Sequence, residues 1–155
     1  MNYPVDPASE GAQLELSRIL NRELFIYLLD LDVKRARRYQ NFFSILILKL
    51  SQLASHDNGK GLQNCHEKLR HLLEEELRES DILGTLAENR LVALLPYADI
   101  SAGGHAKSHF EGSLKYYDFR SEGYEVKIEQ VCFPVDGTDT SDIVEKVIGR
   151  EANKN

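Results

Sequence analysis

His105 and His109 stand four residues apart in a stretch of helical character, a spacing that can aim two imidazoles at one metal ion. No glutamate follows them in the metalloprotease arrangement, so the pair alone does not specify a metal site. Cys65, His66 and His71 form a second cluster. Cys65 falls on the apolar side of its segment and the histidines turn away from it, which reads as structure rather than as zinc ligation. No serine or cysteine comes with an identifiable base and orienting partner for nucleophilic catalysis. Tyr116, Tyr117 and Phe119 precede Gly123 as a packed corner would, rather than as a base-stacking platform. Lys34, Arg35, Arg37 and Arg38 crowd the end of a helical segment, where the macrodipole favours cations without any ligand. These residues call for no metal and no cofactor.

The elements that must carry them follow from patterning. With 155 residues the chain has material for one core. Lys plus Arg number 19 against 25 Asp plus Glu, a net charge of −6 that disfavours binding to nucleic-acid polymers. The longest strongly apolar stretch, Phe42 to Leu50, is broken by Ser44 and Lys49, so no membrane insertion is expected. The start MNYPVDPASEGAQ lacks the pattern of a secretory signal, and two cysteines suit a reducing cytoplasm.

Residues 1–13 read as a tail or linker. A helix is expected from Leu14 to Tyr39, with Phe25, Leu28, Leu29, Ala36 and Tyr39 on one face. Phe42 to Leu50 is a buried central strand, and Ala54 to Gly61 a turn-rich loop. A second amphipathic helix carries Leu62, Cys65, Leu69, Leu72, Leu73 and Leu77 inward and ends in EEELRES. Two short apolar runs, Ile82 to Leu86 and Leu91 to Leu95, flank Ala87 to Arg90 as a hairpin with a four-residue connection. A weaker helical pattern, with three glycines, spans about Ile100 to Leu114. Tyr124 to Cys132 alternates as a strand with one wet face, and Thr140 or Ser141 caps a last helix bearing Ile143, Val144, Val147 and Ile148. One sheet with helices packed on it, of α+β class, is the architecture this order implies.

Four strings in that order resemble the GGDEF domain of bacterial diguanylate cyclases, from about Leu16 to Gly149. LNRELF (Leu20 to Phe25) is similar to the family's "(L)xNRRxF", and KRARRYQNFFSILIL (Lys34 to Leu48) to its "RARRYGxPLSLLLLDxD". RESDILGTLAENRLVALLP (Arg78 to Pro96) has the length and pattern of "RxxDxxxRxGGDEFxxLLP", and FPVDGTD (Phe133 to Asp139) resembles "FPxDGxD". The resemblance implies a nucleotidyl-cyclase-like, ferredoxin-like palm: a central, mostly antiparallel sheet flanked by helices, over residues 14–150, with a short tail at 151–155. It bears on fold more than on activity.

Carried over position by position, the cyclase chemistry is missing. The signature GGDEF is replaced by Ala87, Glu88, Asn89, Arg90 and Leu91. Ala87 and Glu88 add side chains where glycines let the backbone approach a nucleotide. Asn89 and Arg90 replace acidic residues, and Lys49 stands where the first strand supplies a metal carboxylate. Two divalent cations cannot be held by a lysine, an arginine and an amide. In the guanine-binding loop Gln63 replaces an Asp, and VIGREANKN replaces the stretch carrying a phosphate-binding lysine. The resemblance therefore implies a domain that is not an enzyme.

One family feature is kept. Diguanylate cyclases carry a product-inhibition site, RxxD, five residues before the signature, and Arg78 and Asp81 stand at that offset. An arginine fork can take a phosphate or a guanine edge, and a carboxylate can accept from guanine N1–H and N2–H. Both residues are also locally favoured at the end of a helix without any ligand, and Glu74, Glu75, Glu76 and Glu79 would oppose a dianion. The family's second arginine has Lys107, His109 and Lys115 as candidates to stand in for it. The resemblance thus implies a signalling domain that senses cyclic di-GMP, which would cross-link two domains. The alternative is a ligand-free dimerisation or docking module, whose acidic Glu74–Glu79 and basic Lys34–Arg38 patches meet a partner protein.

Overall fold

The computed structural model describes residues 18–53 and 60–149. The expected tails, and most of the loop at 54–61, lie outside them. The order is β1 (Ile19–Leu20), α1 (Arg22–Tyr39), β2 (Phe43–Gln52), α2 (Lys60–Glu76), β3 (Ile82–Ala87), β4 (Arg90–Pro96), α3 (Ile100–Leu114), a 3₁₀ turn (Arg120–Glu122), β5 (Tyr124–Phe133) and α4 (Thr140–Ile148). The strands form one sheet in the order β1-β3-β4-β2-β5. β1 runs parallel to β3, and every other pair is antiparallel.

β2 is the central strand that its unbroken apolar run requires, since both of its faces are covered. On one face Leu46, Leu48 and Leu50 meet α2 and α3 through Cys65, Leu69, Leu73 and Phe110. On the other, Phe43, Ile45 and Ile47 meet α1 and α4 through Phe25, Leu29, Val33, Ile143 and Val147.

Several expectations are corrected. The first helix does not reach back to Leu14. Ile19 and Leu20 pair with Leu83 and Gly84, and Asn21 caps the helix by accepting from Leu24 N–H at 2.8 Å. Val33 takes the core position expected of Tyr39, which ends the last turn of the helix and is exposed. The hairpin closes on two residues, Glu88 and Asn89, because Ala87 pairs with Arg90 after a bulge. β5 is wet on one face only along its first part; Val131 and Phe133 are buried under α4, Phe133 stacking on Phe43 at 5.1 Å. Asp139, rather than Thr140 or Ser141, caps α4 by accepting from Asp142 N–H at 2.9 Å. Thr140 Oγ1 instead donates to Asp30 on α1 at 2.7 Å, and this bond, with Lys34, holds the Asp30 carboxyl below its usual range.

The glycines that weaken the α3 pattern include one that packing demands. A Cβ on Gly103 would lie 2.4 Å from Ser44 Oγ and from Gln130 Nε2, so α3 can sit on β2 and β5 only without one.

Candidate functional site

Arg78 and Asp81 occupy the turn between α2 and β3. Asp81 is buried, and both its oxygens are held by Arg78: Oδ2 accepts from the Arg78 backbone N–H at 2.8 Å, and Oδ1 from its Nη2 at 3.0 Å. Arg18, which the sequence did not single out, donates from Nη2 to the carbonyls of Arg78 (2.7 Å) and Asp81 (3.0 Å). The turn is thus closed from both sides. The Arg78 side chain is 63% exposed and that of Asp81 4%. In this geometry the carboxylate aims the guanidinium and has no oxygen turned to solvent.

Arg78 lies on the rim of a cleft of about 350 Å³ between the end of α2 and the face of α3. Its walls include Glu76, Tyr97, His105 and His109. Among the candidates for a second cation, His109 reaches this cleft. Its Nε2 lies 3.1 Å from Glu76 Oε1, while Ser113 Oγ donates to Glu76 Oε2 at 2.7 Å. Lys107 pairs with Glu111 at 3.3 Å, and Lys115 lines a separate cavity with Tyr116, Tyr117 and Phe119. Of the four glutamates expected to repel an anion, Glu76 lines the cleft; Glu74 and Glu75 pair with Arg70 and His71 along α2. Tyr97 adopts φ 62°, in the left-handed region, and its ring carries the guanidinium of Arg35 at 4.6 Å.

The hairpin tip is built differently. Ala87, Glu88 and Asn89 are exposed, whereas Arg90 and Leu91 are buried. Asn89 folds onto β2, its carbonyl accepting from Leu50 N–H at 2.8 Å. Lys49 and Arg90 are directly opposed across β2 and β4. Lys49 Nζ pairs with Glu129 at 3.2 Å, and Arg90 Nη1 donates to the Ile148 carbonyl at the end of α4. Two cations therefore stand side by side where the resemblance would have a metal pocket. Gln63 lines a neighbouring cleft of about 490 Å³ with His66, Thr85 and Glu88. Burial there lowers the pKa of His66 from its ordinary value. Cys65 is in the core and His71 is turned out to Glu75, so the cysteine–histidine cluster does not converge. Among the described residues no three His, Cys, Asp or Glu side chains come together as a metal site.

The fold has counterparts among solved structures. A diguanylate cyclase protein from Thermotoga maritima superposes with a TM-score of 0.67 at 19% identity, covering 86% of this chain and 98% of its own. The isolated GGDEF domain of YfiN from Pseudomonas aeruginosa gives 0.67 at 16% identity, over 85% and 81%. The GGDEF domain of DgcB from Caulobacter crescentus, solved in complex with c-di-GMP, gives 0.60 at 12% identity, over 83% and 78%. The fold is that of a GGDEF domain. No family model matches the sequence, and no curated protein matches it. At these identities the GGDEF likeness is one of backbone, so the side chains must carry any argument about activity. No helix of the described residues is long and apolar enough to cross a membrane.

Proposed function

We propose that this GGDEF-fold chain is a non-catalytic signalling domain that binds cyclic di-GMP at the cleft beside Arg78. The observation that carries the reading is the exposed Arg78 guanidinium, held by Asp81 at 3.0 Å on the rim of a cleft whose opposite wall presents His109 and His105. An arginine fixed by a buried carboxylate is a preorganised fork for a phosphate or a guanine edge. His109, whose Nε2 lies 3.1 Å from Glu76 Oε1, would exchange that contact for the ligand, and Tyr97 lines the same cleft. A cleft of about 350 Å³ is small for a whole dinucleotide, so part of the ligand would remain outside it, open to a second domain. Two solved GGDEF neighbours described with bound c-di-GMP support the choice of ligand.

Absence of catalysis rests on the opposed Lys49 and Arg90. Guanylyl condensation needs divalent cations between phosphates and carboxylates, and this corner of the sheet carries fixed positive charge instead.

Calorimetric titration of the full chain with cyclic di-GMP tests the reading. Heat that saturates at tens of micromolar or below, lost in Arg78→Ala and weakened in His109→Ala, is the expected outcome. No heat in the unaltered chain, or the same heat in Arg78→Ala, removes it.

A further inference from the structure

The charged side chains that line the cleft beside Arg78 come from two elements. Glu76, Arg78 and Asp81 belong to the end of α2 and the turn after it, His105 and His109 to successive turns of α3. The loop after β4 adds Tyr97, against which lies the Arg35 guanidinium of α1, itself balanced by Asp32 at 3.0 Å. Arg78 and Asp81 likewise balance each other. Nearby charges are spent along their own helices, Glu74 and Glu75 on Arg70 and His71, and Lys107 on Glu111. Glu79 is exposed on the turn and does not line the cleft. Glu76 is the charge left over. Ser113 holds its Oε2 at 2.7 Å; its Oε1 is buried, lacks a hydrogen bond among the described residues, and lies 3.1 Å from His109 Nε2.

The sign of the cleft is therefore set by its histidines. Histidine is the side chain whose charge ordinarily changes between about pH 5 and 8. With both imidazoles neutral, the uncompensated Glu76 leaves the cleft negative, which opposes a phosphodiester. A proton on one imidazole cancels that charge, and protons on both make the cleft positive. A protonated His109 acts in this way in either position, on Glu76 or turned to the ligand. Buried Leu95 and Phe110 line the same cleft, so these charges are screened less than on an open surface. A phosphodiester keeps its own charge throughout this range, so only the protein side titrates.

We infer that the cleft takes up its ligand together with protons: His105 and His109 couple binding of the dinucleotide dianion to pH, and affinity rises as the solution is acidified through neutrality. The inference rests on the reading of this cleft as a cyclic di-GMP site. Its sign follows from linkage, since the complex with an anion holds more protons on the imidazoles than the free cleft does.

Calorimetric titration of the full chain with cyclic di-GMP, in buffers of different ionisation enthalpy, counts the protons taken up. Uptake of about one proton per ligand is expected near neutrality, with affinity roughly tenfold higher at about pH 6 than at about pH 8. Both effects should largely vanish when His105→Gln and His109→Gln are combined. His109→Arg, whose charge is fixed, should bind more tightly than the unaltered chain at about pH 8. His71→Gln alters an exposed imidazole paired with Glu75 away from the cleft, and should leave the pH dependence as it is. Circular dichroism checks that the variants stay folded; His105 and His109 are exposed, so they should. Binding without proton uptake overturns the inference and leaves the cyclic di-GMP reading standing. So does a pH dependence that survives the double substitution or disappears in His71→Gln. Where the double variant binds too weakly to measure, His109→Arg decides, and looser binding than the unaltered chain at about pH 8 overturns the inference. No heat at any pH overturns both the inference and the reading beneath it.

Discussion

Lys49 and Arg90 face each other across adjacent antiparallel strands, on the side of the sheet covered by α1 and α4, with Lys127 opposite Lys49 on its other flank. Each cation is held without any ligand, Lys49 by Glu129 and Arg90 by the Ile148 carbonyl. Both cations at this corner are part of the folded framework, on paired strand positions rather than on a loop.

Incubation with GTP and magnesium is therefore expected to yield neither pyrophosphate nor cyclic di-GMP. Chromatography of the reaction mixture at long times checks this, and any dinucleotide above the enzyme-free control contradicts it.

Asp81→Asn should destabilise the domain by about 1–3 kcal/mol, since the buried carboxylate accepts from both the backbone and the side chain of Arg78. Denaturant unfolding measures the loss. The same variant frees the Arg78 fork, so cyclic di-GMP affinity should fall even where the protein is fully folded. Unchanged affinity would deny Asp81 its positioning role.

Gly84→Ala is expected to cost about 1–3 kcal/mol through overpacking. Its Cβ would lie 2.8 Å from Phe25 Cδ1 and 2.9 Å from Cγ, at the point where α1 crosses β3. Gly112→Ala is the control, because a Cβ there meets nothing within 4 Å and a helical alanine gains propensity. The two denaturation midpoints should move in opposite directions.

The imidazole of His66 is lowered from its ordinary pKa chiefly by burial, with Glu67 and Glu88 opposing and Arg70 assisting. The unfolded chain then binds the proton more readily than the folded one. This contribution to stability is complete above about pH 6.5 and is lost as the pH falls toward the folded-state value. His66→Gln should flatten the pH dependence of unfolding below about pH 6.5, which denaturant midpoints at several pH values would reveal. An identical slope in the variant would show that other groups set it.

The course of the fold was legible in the chain. The unbroken run at Phe42 to Leu50 could only be a strand buried on both faces, and it is. The helices over Ile100–Leu114 and Thr140–Ile148 followed from apolar spacing. Errors fell where partners distant in sequence decide the outcome. β1 exists because Ile19 and Leu20 find Leu83 and Gly84, more than sixty residues on, and two residues carry no periodicity of their own. The boundaries of the hairpin turn likewise depended on the pairing of Ala87 with Arg90.

What the sequence determined by itself is the chemical inventory at each position: two cations and an amide at Lys49, Arg90 and Asn89, and Arg78 three residues before Asp81. Charge and hydrogen-bonding capacity belong to the residue type and travel with it into any fold. Only the tertiary structure decided which of those groups are spent on the protein itself. It turned Asp81 onto Arg78 and left the guanidinium in solvent. It brought His109, rather than Lys107 or Lys115, to the same cleft. Burial and contact are set by segments far apart along the chain, and a linear pattern records only what a residue's near neighbours require.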